Sequence, residues 1–261
     1  MKRGLYETDA VVLGSFDYGE SDRILTFYTG GYGKVKGIAK GARRSRKRFV
    51  GNLEPASLIK LLFHCNEKSE LVRVESAALE EGFPNLRADI EGYSEACYLI
   101  ELVDVLTRPG QNPHGVYGLL VDFLTMLNRG DAAGPVSRFF EIKLLSLAGY
   151  MPRLGVCVAC GEVMGRGDGD GGNNILFSPE KGGVLCGRCA VDGVGLIALT
   201  QGTARFLETA ERMDASKLTR LKPGEHFVRE AGELLDRFIK LQTGRELKTR
   251  KFISRLKNAT Y

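Results

Sequence analysis

Two C-x-x-C pairs, separated by 25 residues, stand in the second half of this 261-residue chain. They are Cys157 with Cys160 and Cys186 with Cys189. Each pair holds two thiolates one short turn apart, and two such turns facing each other complete the tetrahedral sulfur shell that zinc prefers. The glycines that follow Cys160 and Cys186 suit tight turns because glycine accepts a positive φ. The spacing therefore predicts one structural Zn2+ ion bound by four thiolates.

A glycine-rich run, GRGDGDGGNN at residues 165–174, separates the two pairs and contains no apolar residue. This composition is typical of a flexible excursion, and a short strand is expected to resume at residues 175–177. The two aspartates of the run lack the later bidentate glutamate of a calcium loop, so we interpret it as a solvated linker.

Disulfides and a redox dithiol are the alternative interpretations of the cysteines. Disulfides need an oxidising compartment, whereas residues 1–9 contain no apolar signal-peptide core. A redox dithiol uses one pair and leaves the second unexplained. The chain also has no run of 18 apolar residues, so we expect a cytoplasmic protein without a membrane partner. Cys65 and Cys97 lie in apolar surroundings and are predicted to be core thiols.

Positive charge is concentrated at the two ends of the chain, whose formal net charge is +5. Residues 1–80 carry 14 basic and 10 acidic groups, residues 81–150 carry 5 and 9, and residues 201–261 carry 14 and 8. This asymmetry favours a polyanionic partner.

The first 80 residues predict an all-β domain, because short apolar-rich runs alternate with turn residues. No helix in this stretch is strong enough to cover a parallel sheet. Five short strands in this length indicate a small closed barrel, with an OB-fold as the leading candidate. The predicted strands are 7–16, 23–28, 34–39, 57–65 and 70–78.

The strongest basic feature lies around the end of the third predicted strand, where eight cations and no acid occur within 15 residues. OB-type domains bind nucleic acid by combining a cationic groove with aromatic stacking faces, and Phe27, Tyr28 and Tyr32 are near in sequence. We therefore predict DNA contacts here. A solvated loop is the alternative, and residues 40–44 are too short to form a stable helix alone. The predicted DNA-binding residues are Lys34, Lys36, Lys40, Arg43, Arg44, Arg46, Lys47, Arg48 and Tyr32.

From residue 81 the apolar spacing follows the helical period. Acidic residues on the first of these helices, including Glu95, Glu101 and Asp104, are interpreted as exposed charges, because no second catalytic motif gathers around them. The predicted fold class is α+β and multi-domain. It comprises an N-terminal OB-fold β-barrel at 1–80, an all-α helical domain at 81–150 and 199–261, and an inserted four-cysteine zinc module at 151–198.

A possible second basic surface involves the end of the chain, since residues 237–257 carry eight basic groups and one acid. A solvated helix face and a contact to phosphate or an acidic peptide are both open interpretations. The candidate residues are Arg138, Arg245, Lys248, Arg250 and Lys251.

No catalytic constellation is present. The segment GGYGK at residues 30–34 lacks the spacing and the hydroxyl of a phosphate loop, which excludes nucleotide hydrolysis through it. An NAD-dependent ligase also joins an OB domain to a four-cysteine zinc site, but its K-x-D-G tetrapeptide does not occur here. We therefore expect that the chain is not an enzyme.

Several segments, together with the cysteine module, occur in an order and spacing that are specific as a set. They are TDAVVL at 8–13, GESDRIL at 19–25, KGARRS at 40–45, GNLEP at 51–55, RFFE to GY at 138–150 and GRELKTR at 244–250. With this arrangement nearly the whole chain resembles the bacterial recombination mediator family RecO. The glycine-rich run departs from the pattern of this family. It affects the loop between the two cysteine pairs and not the four cysteine ligands.

This resemblance implies an OB domain, a helical domain and a zinc module whose metal is structural, because some members lack the cysteines. It implies binding to single- and double-stranded DNA, strand annealing, and help in loading RecA onto strands coated by single-strand-binding protein, in the RecFOR pathway at the nucleoid. RecR and the acidic C-terminal tail of single-strand-binding protein are the implied partners, with RecF and RecA met indirectly. The alternative function is a zinc-containing RNA-binding or transcription-associated OB-fold adaptor.

Overall fold

The computed structural model describes residues 1–45, 47–49, 52–131, 133–164, 174–190, 193, 195–218 and 220–259. The chain forms two compact units, Met1–Asp131 with Lys248–Tyr261 and Ala132–Leu247. Arg46 and nearly all of the predicted glycine-rich excursion lie outside the described residues. The domain boundaries predicted at residues 80, 150 and 198 follow the order of the sequence motifs. The compact units of the structure instead group the barrel with the helices that follow it in the chain.

The first unit begins with a closed five-stranded barrel of strand order β1-β2-β3-β5-β4. All neighbours are antiparallel except β3 and β5, which pair in parallel. This is the arrangement of an OB-fold and confirms the predicted fold class. Each strand covers its predicted range to within a few residues. The strands are β1 (Gly4–Tyr18), β2 (Asp22–Thr29), β3 (Gly33–Ala39), β4 (Leu58–Cys65) and β5 (Val72–Glu81).

Alternate residues of the strands fill the barrel interior, as the period of two requires. Phe27 and Phe63 are fully buried there, and β4 alternates between buried and partly exposed positions along its whole length. The connection between β3 and β4 adds Ala42, Phe49 and Leu53 to the same core. This connection includes a short 3-10 helix at Ala42–Arg44. Residues 40–44 thus form one short turn and no longer helix, and Ala42 holds this turn by packing in the barrel core.

Four helices complete the first unit. Asp89 caps α2 by accepting hydrogen bonds from the backbone N–H of Glu91 and Gly92. Glu101 of α2 accepts hydrogen bonds from the backbone N–H groups of Lys248 at 3.0 Å and Thr249 at 2.9 Å. The carboxylate thus satisfies the free amides at the start of α8. The helices are α1 (Pro84–Ala88), α2 (Ile90–Leu106), α3 (Val116–Asn128) and α8 (Lys248–Ala259).

Glu91 of α2 is exposed as predicted, but three other acidic residues of this helix are not simple surface charges, which corrects the prediction for them. Glu95 is buried. Glu101 caps α8, and the half-exposed carboxylate of Asp104 pairs with Lys34 at 3.2 Å. Helical spacing locates these residues on one element but does not show which later segment covers them.

The second unit combines helices with a small antiparallel sheet of order β7-β6-β8. Thr200 caps α5, accepting a hydrogen bond from the backbone N–H of Thr203 at 3.2 Å. Both threonine hydroxyls donate to Glu230 of α7, at 2.8 and 2.5 Å. The elements are α4 (Ala133–Leu147), β6 (Asn174–Ser178), β7 (Gly183–Leu185), β8 (Ile197–Thr200), α5 (Gln201–Arg212), α6 (Ala215–Leu218) and α7 (Glu225–Thr243).

Among the described residues, no helix combines the length and apolar character needed to cross a membrane.

Candidate metal centre and nucleic-acid interface

The four predicted ligands come together in the second unit. The sulfur atoms of Cys157, Cys160, Cys186 and Cys189 all lie within 4.8 Å of one another. Tetrahedral zinc with bonds of about 2.3 Å places its sulfurs about 3.8 Å apart, and the Sγ atoms of Cys160 and Cys186 are separated by 3.7 Å. The cluster therefore has the size of a zinc–thiolate shell. Two of its cysteines are buried and two reach the surface.

Strand β7 positions the first pair and leads directly into the second. The backbone N–H of Val158 donates to the carbonyl of Val184 at 2.9 Å, and Arg153 forms a bridge with Gly183. A Cβ atom on Gly183 would lie 2.3 Å from the Val158 side chain. Glycine is thus required at position 183, because the backbone of β7 lies close to the segment that carries Val158.

Each C-x-x-C pair closes a hydrogen-bonded turn. The N–H of Gly161 donates to the carbonyl of Cys157 at 2.8 Å, and the N–H of Cys189 donates to that of Cys186 at 2.9 Å. Gly161 has φ of 80°, which confirms the predicted need for glycine. Gly187 does not adopt a left-handed φ, so the same prediction is wrong for the second turn.

Local hydrogen bonds give Cys157 and Cys189 different acidities. Burial acts to raise the pKa of Cys157, but hydrogen bonds from the backbone of Cys186 and Cys160 outweigh it and bring the pKa to about 6. The pKa of Cys189 is raised to about 12, chiefly because its side chain is hydrogen bonded to Cys186. Four negative sulfurs at this separation repel one another, so they ionise together only around a cation. This donor set fits a soft divalent metal such as zinc.

An ion pair between Glu162 and Arg188 joins the two turns, with 3.0 Å between the carboxylate and the guanidinium. The hydrogen bond from Arg188 holds the pKa of Glu162 below its usual range. Both side chains are well exposed, so the pair contributes little to stability. It orients the outer rim of the cluster.

The predicted DNA-binding cations that the structure describes lie mainly on the connection between β3 and β4. The N–H of Gly41 donates to Asp22 Oδ1 at 2.8 Å, and the N–H of Arg43 donates to the carbonyl of Ser21 at 3.0 Å. With Ala42, Phe49 and Leu53 buried in the barrel core, these bonds fix the backbone against the β1–β2 turn. The anchored connection exposes Lys40, Arg43, Arg44, Lys47 and Arg48.

Two of these cations have acidic neighbours. The guanidinium of Arg43 lies 3.4 Å from Asp17, and that of Arg44 lies 3.7 Å from Glu20. All four side chains are about half exposed or more, so these pairs are weak and open to exchange with a phosphate. Among the described residues, Lys36, Lys40 and Lys47 have no acidic side chain within ion-pair distance.

Arg48 stabilises the connection itself. Its guanidinium donates to the carbonyl of Lys40 at 3.1 Å and lies 4.9 Å from the ring centre of Phe49. A substitution at Arg48 therefore changes the loop as well as the charge, and is a poor test of a phosphate contact.

Lys34 differs from the other cations of the group. Its side chain is 7% exposed, and its ammonium donates to the backbone carbonyl of Asp104 at 2.5 Å as well as to the carboxylate. Lys34 is thus an internal tie between β3 and α2 and not an exposed phosphate contact. The sequence prediction for this residue requires correction.

Two of the aromatic residues singled out in the sequence, Phe27 and Tyr28, are fully buried and closed to a base. Tyr32 is partly buried and packs on the barrel core with Tyr6 and Phe63, at ring-centre distances of 5.3 and 5.9 Å. A DNA contact of Tyr32 stays a prediction.

The exposed aromatic residues of the barrel are Phe16 and Tyr18, at the end of β1, which sequence reasoning did not select. Their spacing of two and their position just before a turn are the signals that could have identified them.

Arg138 does not belong to an exposed basic surface. It is buried within the second unit, 2.9 Å from Glu141 and 3.2 Å from Asp236. The glutamate three residues further along the helix was the available signal, because residues at this spacing share a helix face.

The remaining members of the predicted second surface lie at the end of the chain. Arg245 is an exposed residue of the second unit. In the first unit, Lys248 and Lys251 are exposed on α8, and Arg250 packs over the ring of Tyr98 at 5.2 Å.

Comparisons with known proteins agree with this architecture. A family model described as Recombination protein O N terminal matches residues 1–83, and one described as Recombination protein O C terminal matches residues 87–251. The DNA repair protein RecO of Syntrophus aciditrophicus is 33% identical over 259 residues and 97% of each chain. That of Anaeromyxobacter dehalogenans is 36% identical over 94% of each chain, and that of Myxococcus xanthus is 35% identical over 96% of this chain and 98% of its own. By these full-length matches, the chain belongs to the RecO family.

Proposed function

We propose that this protein is a DNA-binding recombination mediator that anneals complementary single strands and helps to load RecA onto strands coated by single-strand-binding protein. Membership of the RecO family places the chain in DNA repair and recombination. The observation that carries the finer proposal is the anchored cationic connection of the barrel, with exposed Lys36, Lys40 and Lys47 near it and no acidic partner for them among the described residues.

Cations of this kind bind the sugar-phosphate backbone by releasing its counterions, which gives affinity for single- and double-stranded DNA with little sequence preference. Annealing needs two strands to be held close together against their mutual repulsion. The barrel connection supplies one contact, and Lys248, Arg250 and Lys251 on α8 are the proposed source of a second; Arg245 of the second unit is a separate candidate. The mediator then acts by screening phosphates and not by chemistry.

The metal is proposed to be one structural Zn2+ ion. Four thiolates fill a tetrahedral shell, so a bound zinc keeps no position for water or substrate. Cys157, Cys160, Cys186 and Cys189 would hold it and would fix the two turns relative to β7. The protein is accordingly proposed not to be an enzyme.

The proposed protein partners are RecR and the acidic C-terminal tail of single-strand-binding protein, with RecF and RecA engaged indirectly. An acidic tail suits a cationic helix surface such as that of α8, because opposite charges steer the encounter. The proposed location is the bacterial cytoplasm, at the nucleoid.

Alanine substitution of three exposed lysines, K36A/K40A/K47A, tests the barrel contact. The matched control is K181A/K217A/K222A, which removes three exposed lysines from the second unit and changes the net charge equally. Affinity for a single-stranded oligonucleotide is measured across a salt series. If each barrel lysine neutralises one phosphate, the slope of log K against log salt becomes shallower by about 2. The control is expected to keep the wild-type slope.

Equal slopes for the two triple variants would refute the barrel contact. The RNA-binding alternative is tested by competition between DNA and RNA single strands of equal length, where the proposal expects DNA to compete at least as well. Acceleration of annealing in the presence of tailed single-strand-binding protein completes the test, and the barrel variant should lose it.

A further inference from the structure

Phe16 and Tyr18 form an exposed aromatic pair on the outer wall of the barrel. Phe16 is 58% exposed and Tyr18 is 54% exposed. They stand two residues apart on β1, so their side chains emerge from the same face, about 6.6 Å apart along the strand. Large rings left this open to water are a poor choice for stability alone, because their burial would be favourable.

A β-bulge gives these rings their direction. Val12 pairs with Phe27, but the next paired residue on β1 is Gly14, opposite Thr26, so the register shifts by one residue between them. Without this shift, Phe16 would share the inward face of Val12. Bulges are found where a strand has to redirect a side chain. Here the bulge turns the end of β1 outward.

The register across the sheet places Phe16 in a row with Ile24 of β2, Ile38 of β3 and Arg73 of β5. Ile24 and Ile38 are partly exposed, and Arg73 is exposed. Neighbouring strands are about 4.8 Å apart, so this row extends about 14 Å across the barrel. It forms a partly apolar strip that begins with an aromatic ring and ends with a cation.

Cations border this strip. The next outward row contains Lys36 opposite Thr26, and Lys40 follows directly after β3. The adjacent connection between β3 and β4 carries the exposed Lys47. A strand of DNA whose phosphates lie on these lysines has its bases within reach of the two rings.

We infer that Phe16 and Tyr18 are the stacking surface for unpaired nucleobases. This inference rests on the proposed DNA-binding function and adds its selectivity for strand state. Stacking tolerates every base because each has a π face, but it requires bases that are not enclosed in a duplex. The rings therefore favour single strands, whereas the lysines bind single strands and duplexes alike.

A tryptophan reporter tests the contact directly, because the chain contains no tryptophan. F16W places a single indole in the proposed surface. The matched control is L5W, since Leu5 is exposed on the same strand, eleven residues before Phe16. An oligothymidine should quench the fluorescence of F16W and not that of L5W. An abasic oligonucleotide of the same length and charge should bind without quenching either variant.

Affinity measurements complete the test. F16A/Y18A should weaken binding to the oligothymidine about twenty-fivefold or more, since each of the two lost stacks is worth at least fivefold. Binding to the abasic strand and to a duplex should stay within twofold, with an unchanged salt slope. L5A should alter none of these values. Because both substituted side chains are exposed, F16A/Y18A should keep the wild-type melting temperature, and a changed value would reveal misfolding.

Single-strand binding that leaves F16W fluorescence unchanged, or an oligothymidine affinity in F16A/Y18A within twofold of wild type, would overturn the stacking surface alone. Wild-type protein that binds no DNA at all would overturn the proposed function together with it.

Discussion

The acidic residue Asp17 allows a gain-of-affinity test of the cationic connection, which loss of folding cannot imitate. Its two carboxylate oxygens lie 3.4 Å from Arg43 and 3.5 Å from Arg23. Asp17 thus competes with DNA phosphate for Arg43 and also repels the phosphate. We expect D17N to bind single-stranded DNA more tightly than the wild type.

The magnitude follows from the exposure of the pair. An ion pair between exposed side chains contributes about 0.2–1 kcal/mol. In the wild type, Arg43 must lose this pairing with Asp17 before it binds phosphate, whereas in D17N there is no such pair to break. A phosphate about 8 Å from the removed charge gains about 0.5 kcal/mol more in water before screening. Together these effects amount to about 0.7–1.5 kcal/mol, which predicts an affinity about three- to thirteenfold higher at low salt. Arg23 keeps its second partner, Glu54, at 3.0 Å, so the fold should tolerate the change.

Fluorescence anisotropy with a labelled single strand, measured across a salt series, provides the assay. The matched control is E233Q on α7, which also removes one negative charge and releases one exposed arginine, Arg237, from a 3.1 Å ion pair. A freed Arg43 that reaches phosphate steepens the salt slope of D17N by up to about 0.7. E233Q should keep the wild-type slope.

An equal gain in D17N and E233Q would mean that net charge alone controls the affinity, and the placement of DNA on the barrel connection would be wrong. An affinity for D17N at or below that of the wild type would contradict the reasoning in the same way.

Two further predictions concern the second unit. A strong chelator should release one zinc ion per chain. C157S should lower the melting temperature by about 10 °C or more, because a loss of about 3 kcal/mol has that effect in a unit of this size. The control is C97S, at a half-buried cysteine outside the cluster, and equal melting temperatures for the two variants would contradict a structural metal. Glu230 provides a pH test: burial acts to raise its pKa, but hydrogen bonds from Thr203 and Thr200 outweigh it and hold the pKa below the usual value. Its stabilisation is therefore present above the unfolded pKa of about 4.3 and is lost as the pH falls through the folded pKa. Urea unfolding between about pH 5 and pH 3 should show a larger loss of stability in the wild type than in E230Q, and parallel curves would count against this role.

Local patterns predicted a large part of the fold. Thiol spacing identified the metal ligands because the chemistry is contained in two short turns. Alternating apolar residues identified the five barrel strands. These signals extend over a few residues, so they are visible without the tertiary structure.

Contacts between distant segments account for the errors. Lys34 looks like its basic neighbours until Asp104, 70 residues later, is placed against it. Arg138 is basic in sequence but internal in the helical packing. The bulge in β1 reverses the face of Phe16, so simple alternation assigns that ring to the core. The residue type shows which partners a side chain is able to bind, whereas the partners that it already has are visible only in the folded structure.

The return of residues 248–261 to the first unit has a consequence for biosynthesis. The barrel and the helices α1 to α3 emerge from the ribosome before the second unit is made, whereas α8 is translated after it. Production of the intervening 132–247 segment takes about 6 to 23 s at bacterial elongation rates of roughly 5–20 residues per second. During that interval the carboxylate of Glu101 has no Lys248 or Thr249 amide from which to accept a hydrogen bond, so the first unit stays incomplete until α8 is synthesised.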